Sequence, residues 1–133
     1  MLELRTNDGG FVYASDTAAA LNMGLSVEAI QAAEAEARKT AVSEECRRRI
    51  FAVASQNAQT NMSLAVGVIG AKTASTRTDI EKATLAGAEA ALGWVMDMRA
   101  AFLALAADAQ ADYLADAAWP AIPPEAATIA AQF

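Results

Sequence analysis

The fold is decided by residues 76–108, which read TRTDIEKATLAGAEAALGWVMDMRAAFLALAAD. This stretch has no proline, and apolar or small side chains recur along it at alternating spacings of four and three residues. That spacing places them on one face of an α-helix, so the stretch predicts a long amphipathic helix. The face consists of Ile80, Thr84, Gly87, Ala91, Trp94, Met98, Ala101 and Leu105.

The same helix is apolar on a neighbouring face. A second apolar set lies next to the first and comprises Leu85, Ala88, Leu92, Val95 and Phe102. A helix that is apolar over more than one face has to be largely covered. Its cover is predicted to be either the rest of its own chain or other subunits.

A long helix is also predicted over residues 26–72. Ser26 can cap its start, and no proline or glycine interrupts the chain until Gly67. The basic run 47–49 in its middle follows Glu44 and Glu45. This run indicates either a solvated face with Glu44–Arg48 and Glu45–Arg49 ion pairs or a docking patch for an acidic partner.

Residues 1–14 predict an N-terminal β-hairpin arm. Leu2 and Leu4 alternate with charged residues, residues 7–10 read Asn-Asp-Gly-Gly, and residues 11–13 favour extended structure. An isolated two-stranded hairpin is barely stable in water. The arm is therefore expected either to dock on the helices or to pair with a neighbouring chain.

Residues 109–133 predict an extended strap. Proline cannot continue a helix and favours extended backbone in the residue before it, so Trp119 to Pro123 should be extended. Pro124 can then open a final helical turn. The strap either packs on its own bundle or offers a proline-rich peptide to a partner groove.

The fold class predicted from these segments is mainly all-α. A chain of 133 residues suits a single domain, residues 1–133, with the long helices 26–72 and 76–108 forming a helical hairpin or bundle. Much of the 55% hydrophobic content is alanine, which favours helices but buries little area. A thin core of this kind predicts a homo-oligomer.

The composition argues against several classes of chemistry. The chain has no histidine and one cysteine, so no catalytic residues, metal site or cofactor are predicted. Cys46 is expected to be a small buried hydrophobe rather than a reactive thiol. A net charge of −6 disfavours nucleic acid, and no uninterrupted apolar run reaches membrane-spanning length, so no membrane partner is predicted.

Two C-terminal segments resemble a known family. The run Trp94-Val-Met-Asp-Met-Arg99-Ala-Ala-Phe-Leu103, followed by Trp119-Pro120-Ala-Ile-Pro123, resembles the C-terminal signature of tailed-bacteriophage tail-fibre accessory and tail-fibre assembly proteins. Those proteins have a tryptophan-started amphipathic helix followed by a Trp-Pro-x-x-Pro strap. The resemblance covers residues 94–124 and implies a phage or prophage product.

The function expected from this resemblance is non-enzymatic. The chain is predicted to be a tail-associated structural protein in the virion, acting by helical self-association and attachment to other tail or fibre subunits. The alternative is a helical adaptor or tail-fibre assembly chaperone that stays in the host cytoplasm. The residues predicted to contact other proteins are Trp94, Met98, Arg99, Phe102, Leu105, Trp119, Pro120, Ile122, Pro123, Phe11 and Tyr13.

Overall fold

The structure, a computed structural model, describes residues 1–5 and 10–133 and is mainly helical, which confirms the predicted class. Two 3-10 turns, Ala74–Thr76 and Asp116–Ala118, lie in the connections. The strands and α-helices, in chain order, are β1 (Leu2–Arg5), β2 (Phe11–Ala14), α1 (Thr17–Asn22), α2 (Val27–Val53), α3 (Gln56–Gly70), α4 (Asp79–Ala107) and α5 (Pro124–Ala130).

The centre of the fold is the packing of α4 against α2. Arg38 reaches Leu105 while Cys46 reaches Met98, so the two helices run antiparallel. The main core cluster consists of Val42, Cys46, Trp94, Met98, Leu105 and Trp119. Most of the predicted α4 stripe is thus covered by the same chain.

The buried stripe of α4 begins one turn later than predicted. Thr84, Gly87, Trp94, Met98 and Leu105 are buried. Ile80, in contrast, is 79% exposed, because it lies in the first turn of the helix, before the packed region. The helix itself begins at Asp79, where Thr78 and Glu81 form a capping box, and not at residue 76.

The prediction of one continuous helix over residues 26–72 is wrong in its middle. α2 ends at Val53, Ala54 has extended backbone, and the Ser55 side chain caps α3 by accepting a hydrogen bond from the Ala58 amide at 3.1 Å. The Gln59 side chain donates to the Ala54 carbonyl at 2.9 Å. The break redirects α3 so that Ala58, Met62 and Ile69 become buried.

Arg77 holds the connection from α3 to α4, together with an ion pair between Lys72 and Glu81. The Arg77 guanidinium donates to the carbonyls of Ile69 and Gly70 at 3.2 Å and of Lys72 at 3.0 Å. The last carbonyls of a helix have no partner within the helix. Arg77 therefore satisfies the end of α3.

The N-terminal strands pair antiparallel and dock on the helices. Leu2 faces Ala14 and Leu4 faces Val12 across the pair. Leu4 and Ala14 are buried with residues of α1 and α2, which anchors the arm to its own chain. The predicted turn at residues 7–10 lies outside the described residues except for Gly10.

The short helix α5 packs closely on α4. A Cβ atom added to Gly87 would lie 2.9 Å from the Ile129 Cβ and 3.1 Å from the Glu125 carbonyl oxygen. Only glycine allows the two backbones to approach this closely. The contact places Ile129 and Ala130 in a smaller core cluster with Met62 of α3.

α4 is also long and apolar enough to cross a membrane, judged by length and composition alone. It has 29 residues, and only 17% of its most apolar 18-residue window is buried. Glu89, Asp97 and Arg99 interrupt its apolar residues, so α4 contains no uninterrupted apolar run of membrane-spanning length. In the fold, α4 packs against α2, α3 and α5, and its remaining apolar surface is exposed.

Candidate protein-interaction site

The structure separates the predicted interaction residues by exposure. Four of them, Trp94, Met98, Leu105 and Trp119, are buried within the chain. Pro120, Ile122, Pro123 and Phe102 are half-buried, whereas Phe11, Tyr13 and Arg99 are exposed. In this chain the buried residues are therefore not available to another protein.

Both tryptophans take part in folding the C-terminal segment back on α4. The Trp94 indole N–H donates to the Pro120 carbonyl at 3.0 Å, and the Trp119 indole N–H donates to the Tyr113 carbonyl at 2.7 Å. A buried tryptophan requires such a partner for its N–H. Residues 119 and 123 have extended backbone and α5 begins at Pro124. This segment lies on its own chain.

Arg38 of α2 holds the chain where it leaves α4. Its guanidinium donates to the Leu105 carbonyl at 3.0 Å and to the Ala111 carbonyl at 2.9 Å, and lies 5.3 Å from the centre of the Tyr113 ring. Sequence reasoning missed this residue. Arg38 precedes the buried Val42 by four residues, a spacing that could have indicated its inward position.

Arg49 of α2 holds the next part of the C-terminal segment, residues 114–119, in the same way. Its guanidinium donates to Asp116 Oδ1 at 2.9 Å and to the Leu114 carbonyl at 3.0 Å, and lies 5.6 Å from the centre of the Trp119 ring. It also pairs with Glu45 at 2.7 Å. The basic run 47–49 is thus partly an internal clamp, a use that neither predicted alternative included.

Glu45 is the carboxylate that organises this clamp. It is 9% exposed and accepts hydrogen bonds from both Arg48 and Arg49. The hydrogen bond from Arg48, opposed by burial and aided by the bond from Arg49, lowers the pKa of Glu45 to about 2. The predicted Glu45–Arg49 pair is confirmed. The predicted Glu44–Arg48 pair is wrong, because Arg48 turns to Glu45 instead.

The outer face of the N-terminal arm presents two exposed aromatic side chains, with the exposed Glu3 opposite Tyr13 across the strands. Phe11 and Tyr13 are each 59% exposed, while alternate residues of the arm face the core. Leu21, Met23 and Val27, which follow the arm in the sequence, are also exposed apolar side chains. We call Phe11, Tyr13, Leu21, Met23 and Val27 the N-terminal patch. Phe11 and Tyr13 are two residues apart in β2 and therefore share one face, and exposed aromatic side chains are enriched at protein contacts.

An open groove of about 700 Å³ lies between α2, the start of α3 and α4. Ile50, Phe51 and Phe102 contribute apolar surface to it, and Arg47 lies 5.1 Å from the centre of the Phe51 ring. Cys46 also lines it but is buried, and its thiol contacts the Met98 carbonyl at 3.6 Å. Burial raises the pKa of the Cys46 thiol, which agrees with the predicted buried hydrophobe.

Asp108, Asp112 and Asp116 are spaced four residues apart, which would align them in a continuing helix, but they do not form such a stripe. The helix ends at Ala107, and Asp108 and Asp112 each accept a backbone hydrogen bond at 3.0 Å two residues ahead. Asp116 pairs with Arg49. Across residues 1–5 and 10–133, no group of three or more cysteine or acidic side chains is placed to hold a metal ion.

Comparison of the chain with protein-family models and with curated proteins found no match.

Proposed function

We propose that the chain is a non-enzymatic phage tail-associated structural protein. It self-associates through its helices and attaches to other tail or fibre subunits. The support for the phage setting is the C-terminal resemblance over residues 94–124, and the support for a binding role is the exposed apolar surface.

The attachment surface is the N-terminal patch. Two attachment points were open from the sequence, the N-terminal arm and the C-terminal strap. The arm is favoured because its aromatic side chains are exposed and that of the strap is not. Phe11 and Tyr13 are each 59% exposed, whereas Trp119 is buried on its own chain. Phenylalanine and tyrosine are enriched at protein–protein interfaces, so Phe11 and Tyr13 are the anchors of this contact.

A second candidate function is an assembly adaptor or chaperone that is absent from the finished particle. The groove lined by Ile50, Phe51 and Phe102 supports it, since a transient client needs an open apolar surface of this shape. Arg47 at its edge would suit a client helix with acidic residues.

The two functions are separated by where the protein is found. Phage particles induced from cells that encode the chain are purified on a density gradient, and the chain is quantified by mass spectrometry in particles and in cleared lysate. A fixed copy number in the particles supports the structural role. Presence in the lysate during assembly but not in particles supports the adaptor, and a chain that never accompanies phage proteins contradicts both.

The N-terminal patch is tested by replacing its anchors. We expect the double substitution Phe11→Ser and Tyr13→Ser to reduce incorporation into particles at least about tenfold, because hot-spot aromatics carry much of a binding free energy. Leu64→Ser is the matched control, since Leu64 is 65% exposed on α3, away from the patch. Equal incorporation of both variants, with unchanged helicity by circular dichroism, would contradict attachment through the patch.

A further inference from the structure

α4 carries a second heptad stripe on the side opposite Trp94. With 3.6 residues per turn, its positions lie within about 40° of the direction diametrically opposite that side chain. Leu92 and Leu103 are each 63% exposed and Met96 is 62% exposed. We call this set the outer stripe; its members, spaced four, three, four, three and four residues apart, are Leu85, Glu89, Leu92, Met96, Arg99 and Leu103.

The outer stripe is self-complementary when two copies run antiparallel. Its positions are symmetric about residue 94. A two-fold axis at that level would place Leu92 opposite Met96, Glu89 opposite Arg99, and Leu85 opposite Leu103. Each apolar residue then meets an apolar residue, and each charge meets its opposite, as a symmetric interface requires.

The charges select this direction over the parallel one. A parallel pair would place Glu89 against Glu89 and Arg99 against Arg99, and like charges facing each other are unfavourable. Glu89 and Arg99 are both exposed, and neither takes part in an ion pair among the described residues. The antiparallel dimer would give each of them a partner.

The neighbouring positions on one side of the outer stripe are small. Ala86, Gly93 and Ala100 are exposed, and a Cβ added at Gly93 would meet nothing within 4 Å. The distance between packed helices depends on the side chains at the contact. These small positions leave room for a second α4 on that side of the outer stripe.

We propose that two copies of this chain associate through their outer stripes, with α4 packed antiparallel and Glu89 of each copy paired with Arg99 of the other. This inference rests on the self-association in the proposed function and specifies the face that produces it. The α4 face that contains Trp94 cannot serve this purpose, because α2 and the C-terminal segment already cover it. The N-terminal patch belongs to different elements, so tail attachment is tested separately.

The size of the seam sets the expected affinity. From Leu85 to Leu103 the outer stripe is about 27 Å long, at a rise of about 1.5 Å per residue. One helix pair of that length is at the small end of stable interfaces. The dimer should therefore dissociate with a Kd on the order of micromolar, measurable by sedimentation equilibrium or light scattering over a dilution series.

The experiment exchanges the charges singly, together and in mixture. Glu89→Arg or Arg99→Glu alone converts both cross-pairs to like charges, and each should raise the dimer Kd about tenfold or more. The double variant Glu89→Arg with Arg99→Glu should return to the wild-type value. Mixing the two single variants should give a heterodimer, because every cross-pair is then Glu with Arg. Both residues are exposed, so neither exchange should disturb the fold, and circular dichroism of each variant checks this.

The opposing outcomes are equally specific. A wild-type chain that stays monomeric up to high micromolar concentration overturns the dimer. A dimer whose Kd is unchanged by both single exchanges overturns this seam but leaves self-association intact. An oligomer of more than two chains has the same consequence. A monomer that instead co-sediments with phosphatidylcholine vesicles overturns the proposal by assigning the outer stripe of α4 to a lipid surface. Incorporation into phage particles, governed by the N-terminal patch, is measured independently of all of these.

Discussion

Glu45 of α2 holds two neighbouring arginines, one of which, Arg49, connects this helix to the C-terminal segment. It is nearly buried, accepts hydrogen bonds from Arg48 and Arg49, and thereby orients Arg49 toward Asp116 and the Trp119 ring. Its carboxylate is charged when the fold is intact, because its pKa is lowered to about 2. Removing that charge should loosen the C-terminal segment before it affects the packing of α2 on α4.

The pH dependence follows from the direction of this shift. A folded pKa of about 2 against an ordinary 4.5 stabilises the fold above about pH 4.5, and this contribution is lost as the pH falls toward 2. Glu45→Gln should lower the free energy of unfolding by about 1–2 kcal/mol at pH 7, a figure reduced for the exposure of Arg48. The difference from wild type should shrink below pH 4.5 in urea titrations monitored by tryptophan fluorescence.

Glu44→Gln is the matched control for that substitution. Glu44 is adjacent in sequence and exposed. Its unfolding curves should stay within about 0.5 kcal/mol of wild type. Equal pH profiles for the Glu44 and Glu45 variants would show that the clamp does not depend on the Glu45 charge.

At the scale of an element, α4 contains two glycines in opposite situations. Gly87 lies under α5, where an added Cβ would be 2.9 Å from the Ile129 Cβ, whereas Gly93 faces open space. Replacing a helical glycine by alanine stabilises a helix by up to about 1 kcal/mol where nothing opposes it. Gly93→Ala should therefore be stabilising.

Gly87→Ala should have the opposite effect. The clash with Ile129 and the Glu125 carbonyl has to be relieved by moving α5, and overpacking typically costs about 1–3 kcal/mol. We expect a net loss of about 1–2 kcal/mol in urea denaturation, and faster hydrogen exchange in residues 124–130. The pair of variants shares one helix and one chemical change, so a similar effect of both would refute the close approach.

At the scale of the whole molecule, Cys46 reports on the joint between α2 and α4. It is 6% exposed, its pKa is raised by burial, and it is the single cysteine of the chain. A thiolate, not a thiol, reacts with alkylating or disulfide reagents. Labelling by such a reagent should be at least about a hundredfold slower than in the urea-unfolded chain, since it requires opening of the core.

The rate should also follow the stability of the fold. In sub-denaturing urea it should rise in parallel with the unfolded fraction if opening is global. If the native protein is labelled quickly and the labelling rate does not depend on urea concentration, the reagent reaches Cys46 directly through the open groove. The Gly87→Ala variant should accelerate labelling, whereas Gly93→Ala should slow it.

The sequence by itself determined the features that depend on a few neighbouring residues. The alternation of four and three residues specified α4 and most of its buried stripe, Ser26 specified the start of α2, and the prolines specified extended backbone before α5. Such signals are local because side-chain periodicity and capping act within one or two turns.

The tertiary structure alone decided which surfaces cover one another. Ser55 provides a local cap after the break at residues 54–55. The break is stabilised by a distant contact, the burial of Met62 against α5. Arg38 and Ala111 are 73 residues apart, and no pattern along the chain specifies that meeting. The periodicity of the α4 face that contains Trp94 suits either a subunit contact or an internal one, and in the fold α2 and the C-terminal segment cover it. Periodicity states that a face must be buried, but the partner is chosen by contacts between segments far apart in sequence.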